Sequence, residues 1–126
     1  MMNKIVAIQG DHPSKLNPQN DTTIFLANEI QKKKYTIFYY EPKNLSILGT
    51  QVIANGFFIN FNYNKKKFYK IIKKKKLLLT NCKFILIRQD PPFNLEYITT
   101  LYILDTIKDK IKIINDPTSI RNVSEK

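Results

Sequence analysis

The stretch Phe84 to Glu96, FILIRQDPPFNLE, reads as a strand that stops abruptly and gives way to a helix. Phe84, Ile85, Leu86 and Ile87 form a continuous apolar run, the pattern of a strand buried on both faces of a parallel sheet. The run ends at Arg88. Pro91 and Pro92 donate no backbone N–H and push Asp90 toward an extended conformation, so no central strand continues through them. From Asn94 a helical spacing begins, with Leu95, Ile98, Thr99 and Tyr102 on one pattern, Asn94 available as N-cap and Glu96 in the first turn.

This order of strand, rigid loop and helix sets Arg88 and Asp90 at the carboxyl end of a strand, where open α/β sheets hold their ligands. The chain has nineteen lysines and only two arginines, Arg88 and Arg121. A position that keeps arginine suits a planar, forked donor, and a carboxylate or phosphate would fit it. An equally simple reading is that Arg88 pairs with Asp90 or Glu41 while the prolines stiffen a turn.

Upstream, Lys4 to Gln9 is a second apolar run and the expected first strand, ending at Gly10 and Asp11. If the two runs are parallel, Asp11 lies on the same sheet edge as Arg88; otherwise it is a turn cap. His12 to Asn20 is a long loop, and its lone histidine has no ligand partner in sequence. Asp21 is the expected N-cap of a helix with Thr23, Leu26, Ala27 and Ile30 at i, i+3, i+4 and i+7. The group Asp21-Thr22-Thr23 offers hydroxyls and N–H groups to an anion, although capping alone also accounts for it. Tyr35 to Tyr40 is the second strand, reached by a right-handed crossover. Leu45 to Leu48 and Gln51 to Ala54 suggest a hairpin around Gly49-Thr50, and Asn55-Gly56 a further turn before a strand from Phe57 to Tyr63. NKKKFYKIIKKKKLLL, with Phe68, Ile71 and Ile72 on one side, reads as an amphipathic helix. Leu101, Leu104 and Ile107 extend the helix after the prolines, Ile113 and Ile114 form a last strand, and Asp116 with Pro117 opens a final turn containing Arg121. The fold class is therefore α/β: a Rossmann-like, open, mainly parallel sheet flanked by helices, with a β-hairpin insertion.

With 126 residues, 43% of them hydrophobic, residues 1–126 form one expected domain. The formal charge of +11 raises nucleic acid or an acidic membrane as partners. The lysine groups at 32–34, 65–67 and 73–76 carry that idea, but no nucleic-acid signature accompanies them and a general lysine bias explains their number, so nucleic acid is not an expected partner. Cys82 is the single cysteine, which excludes an internal disulfide, a zinc cysteine set and a redox pair; it reads as a small buried hydrophobe. MMNKIVAIQGD lacks a signal-peptide core and no stretch has membrane-spanning length, so a cytoplasmic protein is expected.

IRQDPPFNLEYITTLYIL, followed by INDPTSIRNVSEK, closely resembles bacterial glutathione synthetase in the N-terminal domain that precedes its ATP-grasp module. IVAIQGD resembles that family's first strand with its terminal aspartate, and NDTTIFLANEIQKKKYTIFYYE its first helix and second strand. Threonines stand where the family commonly has serines, Lys34 where it commonly has glycine, and Gln89 and Asn94 where basic and acidic residues often flank the proline pair. The resemblance implies a pre-ATP-grasp domain with the ATP-grasp domain itself absent. The parent enzyme would join γ-glutamylcysteine and glycine through an acyl phosphate, with ATP and magnesium as cofactors. Neither would be bound by this domain alone, which would be inactive in isolation and could form a homo-oligomer. The substrate-binding candidates are Arg88, Asp11, Asp21, Thr22 and Asp90, all in loops after strands or at a helix start. Catalytic and metal-ligating residues are not expected here. Two alternatives are the leading domain of another ATP-grasp peptide ligase and a non-enzymatic basic module for binding or oligomerisation.

Overall fold

The two apolar runs that dominate the sequence lie side by side at the centre of a seven-stranded sheet. The computed structural model describes residues 4–17, 22–62, 66–88 and 95–114. Strand β1 is Ile5–Gln9, helix α1 Thr22–Lys32, β2 Thr36–Tyr40, β3 Leu45–Leu48, β4 Gln51–Phe61, β5 Tyr69–Leu78, β6 Phe84–Ile87, helix α2 Leu95–Asp105 and β7 Lys112–Ile114. Strand β1 pairs in parallel with β2 on one side and β6 on the other, and β6 pairs in parallel with β7. The chain therefore leaves β1 in one direction through α1 and leaves β6 in the opposite direction through α2. Such a reversal of strand order opens a crevice at the carboxyl ends of the two strands.

Alternation along the strands builds two cores. Ile8, Ile37, Tyr39, Ile59 and Leu86 pack with Ile24 and Ala27 of α1. Ala7, Phe38, Tyr40, Ile85 and Ile87 pack with Leu104 of α2 and with Ile107 beyond it. Both faces of β1 and β6 are thus covered, which is why those strands read as unbroken apolar runs rather than alternating ones. The expected α/β architecture, a Rossmann-like parallel centre with helices on both faces, is the one observed. Helix α2 is less buried than its composition suggests, because Leu95, Ile98 and Tyr102 lie on its exposed side.

The antiparallel margin differs from the sequence reading in two places. The expected hairpin between β3 and β4 is present, with Gly49 at φ +65°. Asn55-Gly56, however, makes no turn: β4 runs straight through it and pairs with β3 at one end and β2 at the other. Gly56 marks a close approach of two backbones. A Cβ there would lie 2.2 Å from the Tyr39 carbonyl oxygen and 2.9 Å from the Tyr40 Cβ. The second correction is the lysine-rich segment, which forms strand β5 and not an amphipathic helix. Residues 69–78 satisfy the outer edge of β4 from Ile53 to Phe61, whose backbone groups would otherwise lack partners. The register slips between Phe58 and Ile59, so that Ile72 is the extra residue of a bulge. The adjacent pair Ile71-Ile72 that imitates a helix face is the signature of that bulge.

Lys34 adopts φ 73°, the left-handed conformation that ends α1 and that glycine would take without strain. Lys33 and Lys34 donate N–H bonds back to Ile30 and Gln31 at 3.1 and 2.9 Å, so the helix end is closed in spite of the side chain. Among the described residues no helix is long and apolar enough to cross a membrane.

The two glycines of the margin separate steric from conformational cost. Gly49→Ala meets open space and should cost about 1 kcal/mol through its positive φ alone. Gly56→Ala drives a methyl group into a β2 carbonyl and should cost about 3 kcal/mol or more. Urea denaturation of the two variants checks this ordering, and an equal or smaller loss for Gly56→Ala would contradict it.

Candidate functional site

Strand alternation decides what the carboxyl rim presents. Gln9 and Ile87 are the last paired residues of β1 and β6, and the Arg88 N–H then donates to the Gln9 carbonyl at 2.7 Å. The Ile87 side chain faces α2, so the next side chain, Arg88, turns to the α1 side of the sheet. There its Nε donates to Thr23 Oγ1 at 3.2 Å and its Nη2 to Thr22 Oγ1. These threonines begin α1, so the guanidinium is anchored over the helix N-terminus. Gln9 takes the opposite side, where its fully buried amide donates to Thr100 Oγ1 of α2 at 3.0 Å. Thr100 Oγ1 in turn donates to the Tyr97 carbonyl at 2.7 Å.

Hydroxyl acceptors hold Arg88 without cancelling its charge. Among the described residues the ion pairs are Lys32 with Glu29 and Lys108 with Asp105, so Glu41 does not neutralise Arg88. A half-buried cation next to the positive end of a helix dipole, with N–H groups of the first turn at hand, is favourable ground for a carboxylate or phosphate oxygen.

Asp11 lies on the same rim. Gly10 donates to the Tyr40 carbonyl at 3.1 Å, and the Tyr39 hydroxyl donates to the Asp11 carbonyl at 2.6 Å. The chain after β1 is thereby folded over the α1-facing core, with Leu16 buried in it. Gly10 is needed for this path, since a Cβ would come 2.6 Å from the Tyr39 hydroxyl. Of the five substrate-binding candidates, Arg88 and Thr22 are in contact and Asp11 shares their rim; Asp21 and Asp90 lie outside the described residues. Sequence reasoning missed Tyr39 as the support of the Asp11 loop and Gln9 as the link between β1 and α2. Tyr39 is hidden within the β-prone YTIFYY, but a glutamine closing an apolar run is a readable sign of a buried polar contact.

A family model for the N-terminal domain of prokaryotic glutathione synthetase matches residues 5–121. Among curated relatives, a glutathione synthetase of Brucella melitensis is 40% identical over 121 residues, covering 96% of this chain and 39% of that protein. One from Bradyrhizobium diazoefficiens is 35% identical over 121 residues, again 96% of this chain and 38% of the relative. One from Wigglesworthia glossinidia brevipalpis is 36% identical over 117 residues, 92% of this chain and 37% of the relative. The chain thus spans less than two fifths of the length of the curated relatives it matches.

Cys82 sits in the α2-facing core, and burial pushes its thiol up to about 12. A raised value keeps the sulfur protonated throughout the physiological range and removes the thiolate that would be nucleophilic. Alkylation by iodoacetamide at pH 8 should therefore be at least roughly a hundredfold slower in the native chain than in denaturant. Equal rates under the two conditions would place the thiol in solvent.

Proposed function

Because the chain belongs to the family of prokaryotic glutathione synthetase N-terminal domains, we propose that it is the leading, substrate-binding domain of a glutathione synthetase. The parent enzyme is an ATP-dependent ligase that joins γ-glutamylcysteine to glycine through an acyl phosphate. The observation that carries the reading is the Arg88 guanidinium, held by Thr22 and Thr23 at the crevice between β1 and β6 and left without a counter-charge among the described residues.

In this reading Arg88 receives a carboxylate of the acidic dipeptide, and the N-terminal groups of α1 add donors to the same oxygen atoms. Asp11, on the other side of the crevice, suits the dipeptide's ammonium group. Asp21 and Asp90 join the set by their places in sequence beside Thr22 and Arg88. Fixing the ammonium and carboxylate of the glutamyl end presents the cysteinyl carboxylate in one orientation, which is the contribution a binding domain makes to acyl transfer. Among the described residues no three His, Cys, Asp or Glu side chains cluster as a metal site would require. Magnesium and the nucleotide, which activates that carboxylate, are assigned by the family reading to the remainder of the parent enzyme, and the proposed location is the cytoplasm.

Arg88→Ala in the full-length enzyme should raise KM for γ-glutamylcysteine by roughly 10- to 100-fold, the loss of one charge-assisted contact, with kcat changed far less. Arg88→Lys should recover part of the loss, since a point charge replaces the fork. An unchanged KM in both variants, at an unchanged denaturation midpoint, would leave Arg88 a purely structural role. The chain of 126 residues by itself is expected to release no phosphate from ATP in the presence of γ-glutamylcysteine, glycine and magnesium. Turnover by the pure chain would overturn the division of labour proposed here.

A further inference from the structure

A second cleft, of about 560 Å³, opens between the chain after β1 and the β4–β5 ribbon. Its walls include His12, Glu41, Asn55, Phe57, Lys74 and Lys76. The β4–β5 register puts Phe57 opposite Lys74 and Asn55 opposite Lys76, so the four side chains share one face of the ribbon. It is the α1-facing side, because Phe57 stacks on Tyr39 at 6.1 Å with an interplanar angle of 12°.

The His12 ring stands edge-on to Phe57 with centroids 6.0 Å apart. Its Nδ1 accepts from the Ser14 N–H at 3.1 Å and lies 2.9 Å from Ser14 Oγ. The neutral ring must then carry its proton on Nε2, so the nitrogen left for a ligand is a donor. Lys74 and Lys76 are two residues apart on a strand, hence about 7 Å between their Cα atoms. Neither cross-strand neighbour is acidic, and among the described residues neither lysine forms an ion pair. Among the described residues the one carboxylate in the wall is Glu41, so the described wall carries net positive charge.

Edge-strand lysines have an ordinary explanation in keeping sheet edges from pairing. That explanation accounts for the ammonium groups and not for His12 and Asn55 lining the same hollow beside the Phe57 ring. We propose that this cleft binds a small oligophosphate-bearing anion, with Lys74 and Lys76 as paired point charges and His12 Nε2 and Asn55 as directional donors. The volume is that of a small-molecule site, and two ammonium groups on flexible stems can converge on neighbouring phosphates of one chain. Compact ammonium groups serve such multiply charged oxygens without the planar fork that Arg88 supplies. The site lies across β2 from Arg88 and is independent of the substrate-binding role proposed for it.

The test is calorimetric titration of the purified chain with sodium tripolyphosphate near physiological ionic strength, where loose surface attraction is screened. Saturable binding at one site is expected, weakened roughly tenfold or more by Lys74→Gln/Lys76→Gln and several-fold by His12→Phe. Lys108→Gln/Lys110→Gln, which removes the same charge elsewhere, and Arg88→Ala should each change the affinity by less than about twofold. Equal losses for the two lysine pairs would mean general electrostatic attraction and overturn the proposal, as would the absence of saturable binding. A loss confined to Arg88→Ala would overturn it too, by assigning the phosphate to the Arg88 crevice. Short single-stranded RNA binding more tightly than tripolyphosphate would replace it with a nucleic-acid surface.

Discussion

The fold and both of its anion-facing hollows depend on the place of one ring, that of Tyr39. The side chain is fully buried at the end of β2, stacked on Phe57 and in contact with Phe61. Its hydroxyl holds the Asp11 carbonyl, its carbonyl runs against Gly56, and its ring end lies where a Gly10 side chain would be. Two of the chain's three glycines are therefore spent on the room that Tyr39 occupies. The phenol meets both demands of burial, since the ring contributes apolar area while the hydroxyl satisfies a carbonyl in a loop that has no ladder partner. Tyr40, one residue on, illustrates the contrary case. Its hydroxyl is buried in the other core with no partner among the described residues, and desolvation holds its proton well above the ordinary phenol range.

The parallel centre was readable because both faces of β1 and β6 are covered, and full burial leaves only one kind of residue at each position. The rim was readable for a related reason: Arg88 ends an apolar run next to prolines, and strand parity then dictates the side to which it turns. What escaped was the margin, where burial is one-sided and local pattern underdetermines the pairing. In β5 every side chain from Lys70 to Lys76 is exposed, so hydrophobic periodicity carries no information there. The determining fact is the open edge of β4, a property of a neighbour distant in sequence. Gly56 misled in the same way. Asn-Gly is a strong local turn signal, but the dipeptide lies in a strand because a second backbone passes within van der Waals distance of it.

Charge is distributed by element rather than evenly. Helix α2 contains only Glu96 and Asp105 as charged residues, whereas β5 carries five lysines. A strand tolerates such a run more readily than a helix would. Successive side chains alternate between faces, so Lys73 and Lys75 are turned away from Lys74 and Lys76, whereas a helix would stack residues four apart on one side. The long methylene stems also cover sheet that would otherwise be bare. The strand that looked least like a strand is thus the element in which this composition repels itself least.

Arg88, Lys74 and Lys76 consequently sit on one side of one sheet but meet different physical constraints. The guanidinium is confined by two hydroxyls at the start of a helix, and its remaining N–H groups have fixed directions. Its charge cannot be relieved by a side-chain rotation without breaking those bonds. The lysines swing on flexible stems, and only the cleft walls limit where their charge can be delivered. Confinement of the first kind favours a planar group recognised by its orientation. Mobility of the second kind favours a group recognised mainly by its charge. Tyr39 lies between the two, with the Asp11 carbonyl held against its hydroxyl, so the same buried ring supports the loop that passes from one hollow to the other.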